Sequence, residues 1–219
     1  MRGALRMITA NIFIDWDSAR RIHRPKWSVM ERNISLNDRA IHVEECFSLL
    51  QKKVSDFLGG MDCQDSIRII KSRIYHGWHS GKTMSADRRA WDIAKNKLRS
   101  HVERKVSFLA DIEYSEFLSA GGQRMPLYDT LRTRDDGTEQ QKMVDTAMVA
   151  DILSFCRTES RNFRRGERPN AMAIIVGDDD DLLPGAMVAE AWGLPTYVLR
   201  ITREDENKFL NTNRLTYKI

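Results

Sequence analysis

The sequence predicts an α/β fold in which helices connect a mostly parallel central sheet of about five strands. Short apolar runs of strand length alternate with longer amphipathic segments, as they do in parallel sheets with helical crossovers. Two of the apolar runs end directly in aspartates, at the sheet edge where open α/β proteins bind their ligands. The predicted strands are residues 10–14, 67–75, 125–132, 171–176 and 195–201.

Two helices are predicted between the first strands by their N-terminal caps. Ser35, with Asp38 three residues later, resembles a capping box and starts a helix that ends at the glycine pair 59–60. Ser85 is a favourable N-cap for a second helix, which is expected to run to about Val102. Both segments carry apolar residues at helical spacing, so each is expected to pack one face on the sheet.

A third helix is predicted at residues 140–153, where apolar side chains cover most of the circumference. Such a helix is expected to be buried, and Asp145 in its first turn is either a partner of the helix dipole or a ligand that faces a site. Asp151 lies six residues later on another face and is interpreted as structural.

Several segments carry weaker signals. Residues 18–32 are basic and lack periodicity, which predicts a loop that is either solvated or in contact with phosphate. Residues 108–118 predict a short helix or an irregular crossing, and the tail after residue 201 is polar. The arginine-rich segment 161–168 enters a strand and is therefore expected at the edge of the sheet opposite the aspartates.

Length, charge and cysteine content limit the class of protein. The chain has 219 residues, and we expect one domain over 1–219 with an unassigned tail at about 203–219. The net charge is +4, but acids are almost as numerous as bases, so a polyanionic partner fits without being required. The three cysteines show no CxxC spacing, which predicts reduced thiols. With no stretch of about 18 apolar residues and no signal-peptide pattern, we expect a soluble, cytoplasmic protein without membrane contact.

Carboxylates follow the first and fourth predicted strands. Asp15 and Asp17 come directly after the first strand, and the consecutive aspartates 178–181 come just after the fourth. If these strands are neighbours in a parallel sheet, their carboxyl ends meet, and Asp145 can complete the cluster. Like charges this close repel unless a cation lies between them. Because Mg²⁺ and Mn²⁺ prefer hard oxygen ligands, the sequence predicts a site for one or two of these ions.

The loop after the second strand contains a GKT sequence at 81–83 and two histidines. A P-loop is disfavoured because three residues, instead of four, separate Gly77 from Gly81. A metal pair formed by His76 and His79 is disfavoured because no third ligand lies nearby in the sequence. Two interpretations stay open: a plain surface loop, and a loop at the ligand edge in which Lys82 contacts phosphate.

Three segments, in this order, resemble the NYN family of PIN-like nucleases. IFIDWDSAR at residues 12–20 is similar to the signature of the family's first strand, and QKMVDTAMVADIL at 141–153 is similar to its KGVD helix. IIVGDDDDLLP at 174–184 is similar to its VSGDSDFxP motif. Together with the order of strands and helices, the segments span most of the chain. The chain departs from the family in carrying Ser18 where the family usually has Asn.

This resemblance implies a PIN-like three-layer α/β/α fold and metal-dependent endonucleolytic hydrolysis of RNA, with DNA open as an alternative substrate. A gapless match that keeps Pro184 in place puts the two late family aspartates on Asp179 and Asp181, whereas Asp178 and Asp180 would require an insertion. Asp17 and Asp178 are further candidate ligands. The implied catalytic and Mg²⁺- or Mn²⁺-binding residues are Asp15, Asp145, Asp179 and Asp181, and the implied nucleic-acid contacts are Arg20, Arg21, Lys82 and Lys142.

Two other functions remain as alternatives. A haloacid-dehalogenase-like phosphatase also begins with a strand that ends in DxD, and Asp15 would then be the nucleophile. The late motif is spaced one residue short for that family, and no lysine lies between Asp145 and Gly177. The second alternative is a PIN-like module that binds RNA without cutting it. Whether the chain forms a homodimer or binds another protein is left open.

Overall fold

The computed structural model describes residues 6–25, 34–61, 65–120, 123–162, 169–201, 210, 212 and 214–219. Its main feature is a central sheet of eight strands, mostly parallel, which confirms the predicted α/β class. Seven of the strands follow the order β14-β13-β12-β1-β2-β6-β5, and β7 pairs with β2. These strands are β1 (Met7–Asp15), β2 (Ser66–Tyr75), β5 (His101–Glu103), β6 (Val106–Phe108), β7 (Ile112–Tyr114), β12 (Ala171–Val176), β13 (Thr196–Arg200) and β14 (Thr216–Lys218).

Three two-stranded hairpins lie outside this sheet. They pair β3 (His79–Ser80) with β4 (Thr83–Met84), β8 (Phe117–Ala120) with β9 (Gln123–Pro126), and β10 (Leu131–Thr133) with β11 (Glu139–Gln141). The prediction of one strand at 125–132 is therefore wrong. Asp129 has a positive φ of 58°, which an extended strand does not allow, so the chain turns between β9 and β10.

Five helices complete the described fold: α1 (Trp16–Ala19), α2 (Leu36–Gly60), α3 (Ala86–Lys95), α4 (Val144–Asn162) and α5 (Leu183–Ala191). Ser35 and Ser85 are N-caps, as predicted, and each accepts a hydrogen bond from the backbone three residues on. The predicted end of α3 at Val102 is wrong, because Val102 lies in β5 and is 70% exposed. The predicted start of the third helix at residue 140 is also early, since 139–141 form β11.

The sheet has apolar side chains on both faces because neighbouring residues of a strand point in opposite directions. Ile12 and Ile14 of β1 pack in a core with α2 and α3, whereas Phe13 packs in a second core with α4 and α5. On the first face, the ring of Trp16 contacts Trp91 edge-on, with centroids 4.7 Å apart. Helices therefore pack on both faces of the sheet, and the strand ends project between them.

The remaining segments differ from expectation in places. Residues 108–118, expected to form a helix or an irregular crossing, contain β7 and the start of β8. The polar tail supplies the edge strand β14, which pairs with β13. The basic loop predicted at 18–32 begins within α1 and a 3₁₀ turn, Arg20–Ile22, and its residues 26–32 lie outside the described part of the chain, as do residues 163–168 of the arginine-rich segment. Within the described residues, no helix is both long and apolar enough to cross a membrane.

Candidate metal centre

The ends of two neighbouring parallel strands bring the first acids together. Strand β1 pairs with β12 so that Ile14 lies opposite Val176, which confirms that the predicted first and fourth strands are neighbours. The next residue of β1 is Asp15, and the chain leaves β12 through Gly177. A Cβ atom added to Gly177 would lie 3.5 Å from Cβ of Asp15 and only 2.6 Å from Cδ1 of Leu182. An alanine at this position would therefore require the buried Leu182 side chain to shift.

Asp15 is fixed in place by the start of α1. Its carboxylate accepts hydrogen bonds from the backbone N–H of Asp17 at 3.1 Å and of Ser18 at 3.2 Å, and from the Ser18 hydroxyl. Burial raises the pKa of Asp15 above its ordinary value and the charge of Asp17 adds to this, while the hydrogen bonds from Ser18 oppose it. Asp15 is thus a buried, oriented carboxylate that lacks a compensating cation among the described residues.

Ser18 connects the two strand ends. Besides donating to Asp15, its Oγ accepts the backbone N–H of Asp178 at 3.0 Å. The resemblance left the role of this position open, because the family usually carries Asn here. In this chain the serine hydroxyl makes one donated and one accepted hydrogen bond, and it holds the acidic turn after β12 against the end of β1.

Asp145 comes to the same edge from α4. It lies in the first turn of that helix, two residues after Met143, whose positive φ of 65° turns the chain into the helix. Burial, followed by the negative charges of Asp15, Asp179 and Asp181, raises the pKa of Asp145 to about 6. The charges of the other three carboxylates named from the sequence therefore act on Asp145 in the folded chain.

The four consecutive aspartates divide into two pairs with different surroundings. Asp178 accepts the backbone N–H of Ile201 at 2.7 Å, and Asp180 forms an ion pair with Arg200 at 2.5 Å. Asp179 instead caps the 3₁₀ turn Asp180–Leu182 by accepting the N–H of Asp181 at 2.8 Å. The geometry thus turns Asp178 and Asp180 towards the end of β13, and leaves Asp179 and Asp181 beside Asp145.

Asp17 takes part in a different cluster. Its carboxylate pairs with Arg20 at 2.5 Å and accepts a hydrogen bond from the side-chain amide of Gln141. That amide also contacts Nδ1 of His76 at 2.9 Å. Asp17, proposed from the sequence as a further ligand, is therefore paired with protein partners.

Asp87 is the centre of this second cluster. It receives Arg39 at 2.8 Å, Arg20 at 3.1 Å and Nε2 of His76 at 3.1 Å. Burial alone would raise the pKa of Asp87, but the hydrogen bond and charge of His76 and the charges of both arginines lower it well below its usual range. The partners lie 11 to 67 residues from Asp87 in the sequence, so no local motif could have predicted the cluster.

The four predicted nucleic-acid contacts differ in exposure and in ion pairing. Arg20 is held by Asp17 and Asp87, and so its charge is compensated. Arg21 and Lys82 are exposed, in the 3₁₀ turn after α1 and in the β3–β4 turn. Lys142 is partly buried, with its backbone N–H bonded to Thr130 at 2.9 Å, and lies three residues before Asp145.

The loop after β2 resembles neither of the two sites considered for it. Its GKT sequence forms the turn of a β-hairpin, so a P-loop is not formed. His76 contacts Asp87 and Gln141, whereas the nearest described carboxylate to His79 is Glu116 at 4.0 Å. The two histidines have separate partners, which removes the argument for a metal pair.

The donor chemistry of the cluster fits a divalent ion. Asp15, Asp145, Asp179 and Asp181 offer only carboxylate oxygens, the ligands that Mg²⁺ and Mn²⁺ prefer. In the described part of the chain, no group of three or more His, Cys, Asp and Glu side chains is drawn together closely enough to hold a metal ion. Burial is the first cause of the raised pKa of Asp145, and the charges of the other three carboxylates add to it.

Comparisons with known proteins do not assign the chain to a family. No family model, no curated protein and no solved structure matches it.

Proposed function

We propose that the chain is a metal-dependent endonuclease that hydrolyses RNA phosphodiesters, in keeping with its resemblance to the NYN family of PIN-like nucleases. One observation carries the proposal. Burial and the charges of Asp15, Asp179 and Asp181, which follow two neighbouring strand ends, raise the pKa of Asp145 at the start of α4 to about 6. Acids concentrated in this way, without a cation among the described residues to compensate them, indicate a functional site.

The packing of helices on both faces of the sheet supports a PIN-like three-layer α/β/α arrangement. Residues of β1 alternate between a core with α2 and α3 and a core with α4 and α5. In such an arrangement the carboxyl ends of the strands form an open edge, where a polymer can approach without a lid. The position of the acids at this edge suits an extended strand of nucleic acid.

Asp15, Asp145, Asp179 and Asp181 are the residues that would hold Mg²⁺ or Mn²⁺. When bound, the ion would stabilise the charge that develops on the phosphodiester and lower the pKa of an attacking water. The protein supplies orientation: Asp15 is held by Ser18 and the start of α1, and Asp179 is held by the 3₁₀ turn. Fixed carboxylates keep the ligand geometry without further reorganisation.

Cationic side chains near this edge would contact the phosphates on either side of the cleaved bond. Arg21 and Lys82 are exposed, and no described carboxylate forms an ion pair with either of them. Lys142 lies one turn before Asp145 and is less exposed. Arg20 contributes differently, because its two ion pairs position Asp17 and Asp87. We therefore place the phosphate contacts at Arg21, Lys82 and Lys142, with Arg20 as a supporting residue.

The experiment is a cleavage assay with end-labelled single-stranded RNA and DNA, with Mn²⁺ or with EDTA. We expect Mn²⁺-dependent internal cuts in RNA that disappear in EDTA and in the Asp179→Asn variant. Asp56→Asn is the matched control, because Asp56 is exposed on α2 and has no described partner. Absence of metal-dependent cleavage across several substrates, with the protein folded, would overturn the proposal.

The same assay separates the two alternative functions. A non-catalytic module would bind the RNA and leave it intact in Mn²⁺. A phosphatase would instead release phosphate from a monoester and be trapped by fluoroberyllate at Asp15. Against the phosphatase, Asp17 would have to act as its acid–base residue, yet it is already bound by Arg20 and Gln141.

A further inference from the structure

A polar cleft of about 640 Å³ lies next to the start of α1, where Asp17, two residues after Asp15, forms part of its wall. Its other walls come from α2, the start of α3 and the β10–β11 hairpin. Its volume is within the range of roughly 300–1,000 Å³ that small-molecule sites occupy. The residues most relevant to its chemistry are Arg20, Arg39, His76, Ser85, Leu131 and Glu139.

The charges in this cleft argue against phosphate as its occupant. Arg20 and Arg39 both line it, but both are paired with Asp87, and Arg20 is also paired with Asp17. An anion would have to compete with two carboxylates that already hold these guanidinium groups, one of them largely buried. The cleft is therefore suited to a neutral group that forms hydrogen bonds.

Glu139 is a hydrogen-bond acceptor that takes no part in the ion pairs of the cleft. It is exposed at the cleft, and no described residue forms an ion pair or side-chain hydrogen bond with its carboxylate. It lies two residues before Gln141 in β11, so both side chains point to the same face of the hairpin. Because Gln141 reaches His76 and Asp17, that face is the one turned to the cleft.

The wall that carries Glu139 is held closely against the end of β2. A Cβ atom added to Gly77 would lie 3.0 Å from Cδ1 of Leu131 and 3.3 Å from Cγ of Gln141. The N–H of His79 also donates to the Thr130 hydroxyl at 3.2 Å. Leu131 adds an apolar surface to a cleft that is otherwise lined mostly by polar and charged side chains. Such a cleft suits a planar ring whose face packs on Leu131 and whose edge forms hydrogen bonds with the polar groups.

We propose that this cleft binds the base of the nucleotide next to the cleaved phosphodiester, and that Glu139 selects bases with an exocyclic amino group over uracil. The proposal rests on the proposed function, because a strand whose phosphate lies at the four-carboxylate cluster places a neighbouring base at the cleft. A carboxylate accepts hydrogen bonds from the amino groups of bases. Proteins commonly recognise the unstacked bases of single-stranded RNA through hydrogen bonds to their edges. Uracil offers a carbonyl at the equivalent position, which a carboxylate repels.

The first test measures binding without cleavage. Cytidine and uridine are the probes, because they are neutral and differ in one amino group and one carbonyl. They would be titrated in EDTA and followed by NMR, including the side-chain amide of Gln141. We expect cytidine to bind about tenfold more tightly than uridine, and the Glu139→Gln variant to lose this difference. Glu190→Gln, an exposed change on α5, should keep it.

The second test maps cut sites in an RNA pool of random sequence with Mn²⁺. Wild type should cut with about tenfold preference for an amino-bearing base at one flanking position, and Glu139→Gln should lose that preference. Cleavage with an unchanged preference in Glu139→Gln overturns the base site and leaves the nuclease intact. Tighter binding of cytidine than of uridine, without any metal-dependent cleavage, supports the base site and overturns the nuclease.

Discussion

Asp145 and Asp87 lie at the same edge of the sheet, and their surroundings have opposite effects on their carboxylates. Asp87 is contacted by two arginines and a histidine, which lower its pKa well below the usual range against the effect of burial. Asp145 is surrounded by other acids, and burial together with those charges raises its pKa to about 6. One carboxylate is compensated by protein cations, whereas no described cation contributes to the pKa of the other, where we propose that a metal ion binds.

The aspartate run shows the same difference within four residues. Asp180 is paired with Arg200, and Asp178 accepts the N–H of Ile201. Asp179 accepts only a neighbouring N–H, and Asp181 adds to the charge felt by Asp145. Alternate members of the run therefore serve the fold and the proposed site. The four aspartates have the same chemistry, and their roles differ because the 3₁₀ turn points their side chains in different directions.

The largest expected effect comes from removing a carboxylate that has no protein cation. Asp145→Asn or Asp179→Asn should reduce the rate constant of Mn²⁺-dependent RNA cleavage by about 10³-fold or more, because each removes a ligand for the ion. Single-turnover cleavage of labelled RNA measures this, with Asp56→Asn as the control. An activity within tenfold of wild type would place the site elsewhere.

Removing the acid of the compensated cluster should instead affect folding. Asp87→Asn removes the negative charge that Arg20 and Arg39 share in a largely buried position, and we expect a loss of about 3 kcal/mol in the free energy of unfolding. Chemical denaturation measures the loss, and Asp56→Asn is again the control. A stability equal to wild type would show that the contacts of Asp87 with Arg20, Arg39 and His76 contribute nothing net.

Gly177 tests whether the close approach of the two strand ends is required. In Gly177→Ala, the new Cβ would overlap Leu182, a fully buried side chain, at 2.6 Å. We expect a loss of about 2 kcal/mol in stability and a shift of the acidic turn that weakens cleavage by about tenfold or more. Gly60→Ala is the matched control, because its Cβ would meet nothing within 4 Å. Equal behaviour of the two variants contradicts the prediction.

The smallest effect concerns pH in the absence of metal. Because the pKa of Asp145 is raised from its ordinary 3.8 to about 6, the folded state binds this proton more tightly than the unfolded state. Its contribution to stability is therefore full below about pH 4 and is lost as the pH rises through about 6. We expect Asp145→Asn to be more stable than wild type in EDTA at pH 7.5, by on the order of 1–2 kcal/mol.

Thermal unfolding at pH 4 and pH 7.5 measures this difference. At pH 4 the advantage of Asp145→Asn should nearly vanish, since the wild-type carboxyl is then protonated. Addition of Mn²⁺ at pH 7.5 should reverse the order of the two proteins, because only wild type has the full set of ligands. An advantage of the variant that is the same at both pH values would assign it to packing rather than to charge.

The sequence predicted those parts of the molecule whose signals are local. β1, β2, β12 and β13 are apolar runs long enough to recognise, and α2 begins at a cap with side-chain hydrogen bonds to its own first turn. The four clustered acids could be named because three of them follow strand ends that are neighbours in the sheet. Their convergence depends on strand order, which alternating strands and helices constrain strongly.

The parts that could not be predicted depend on contacts between distant residues. The β3–β4 hairpin has strands of only two residues, too short for any hydrophobic period. Asp87 looked like an ordinary acid in the first turn of α3, and nothing near it indicated Arg20 or Arg39 as partners. The cleft beside Glu139 exists only because the β10–β11 hairpin packs on Gly77, which the sequence alone does not show.

The most direct test of the central claim is calorimetric titration of Mn²⁺ into the folded protein at pH 7.5. Wild type should bind the ion at the four carboxylates, and Asp145→Asn and Asp179→Asn should each bind it at least tenfold more weakly, while Asp56→Asn binds as wild type does. No uptake of Mn²⁺ by wild type at millimolar concentration, or equal binding by Asp179→Asn, would contradict the account.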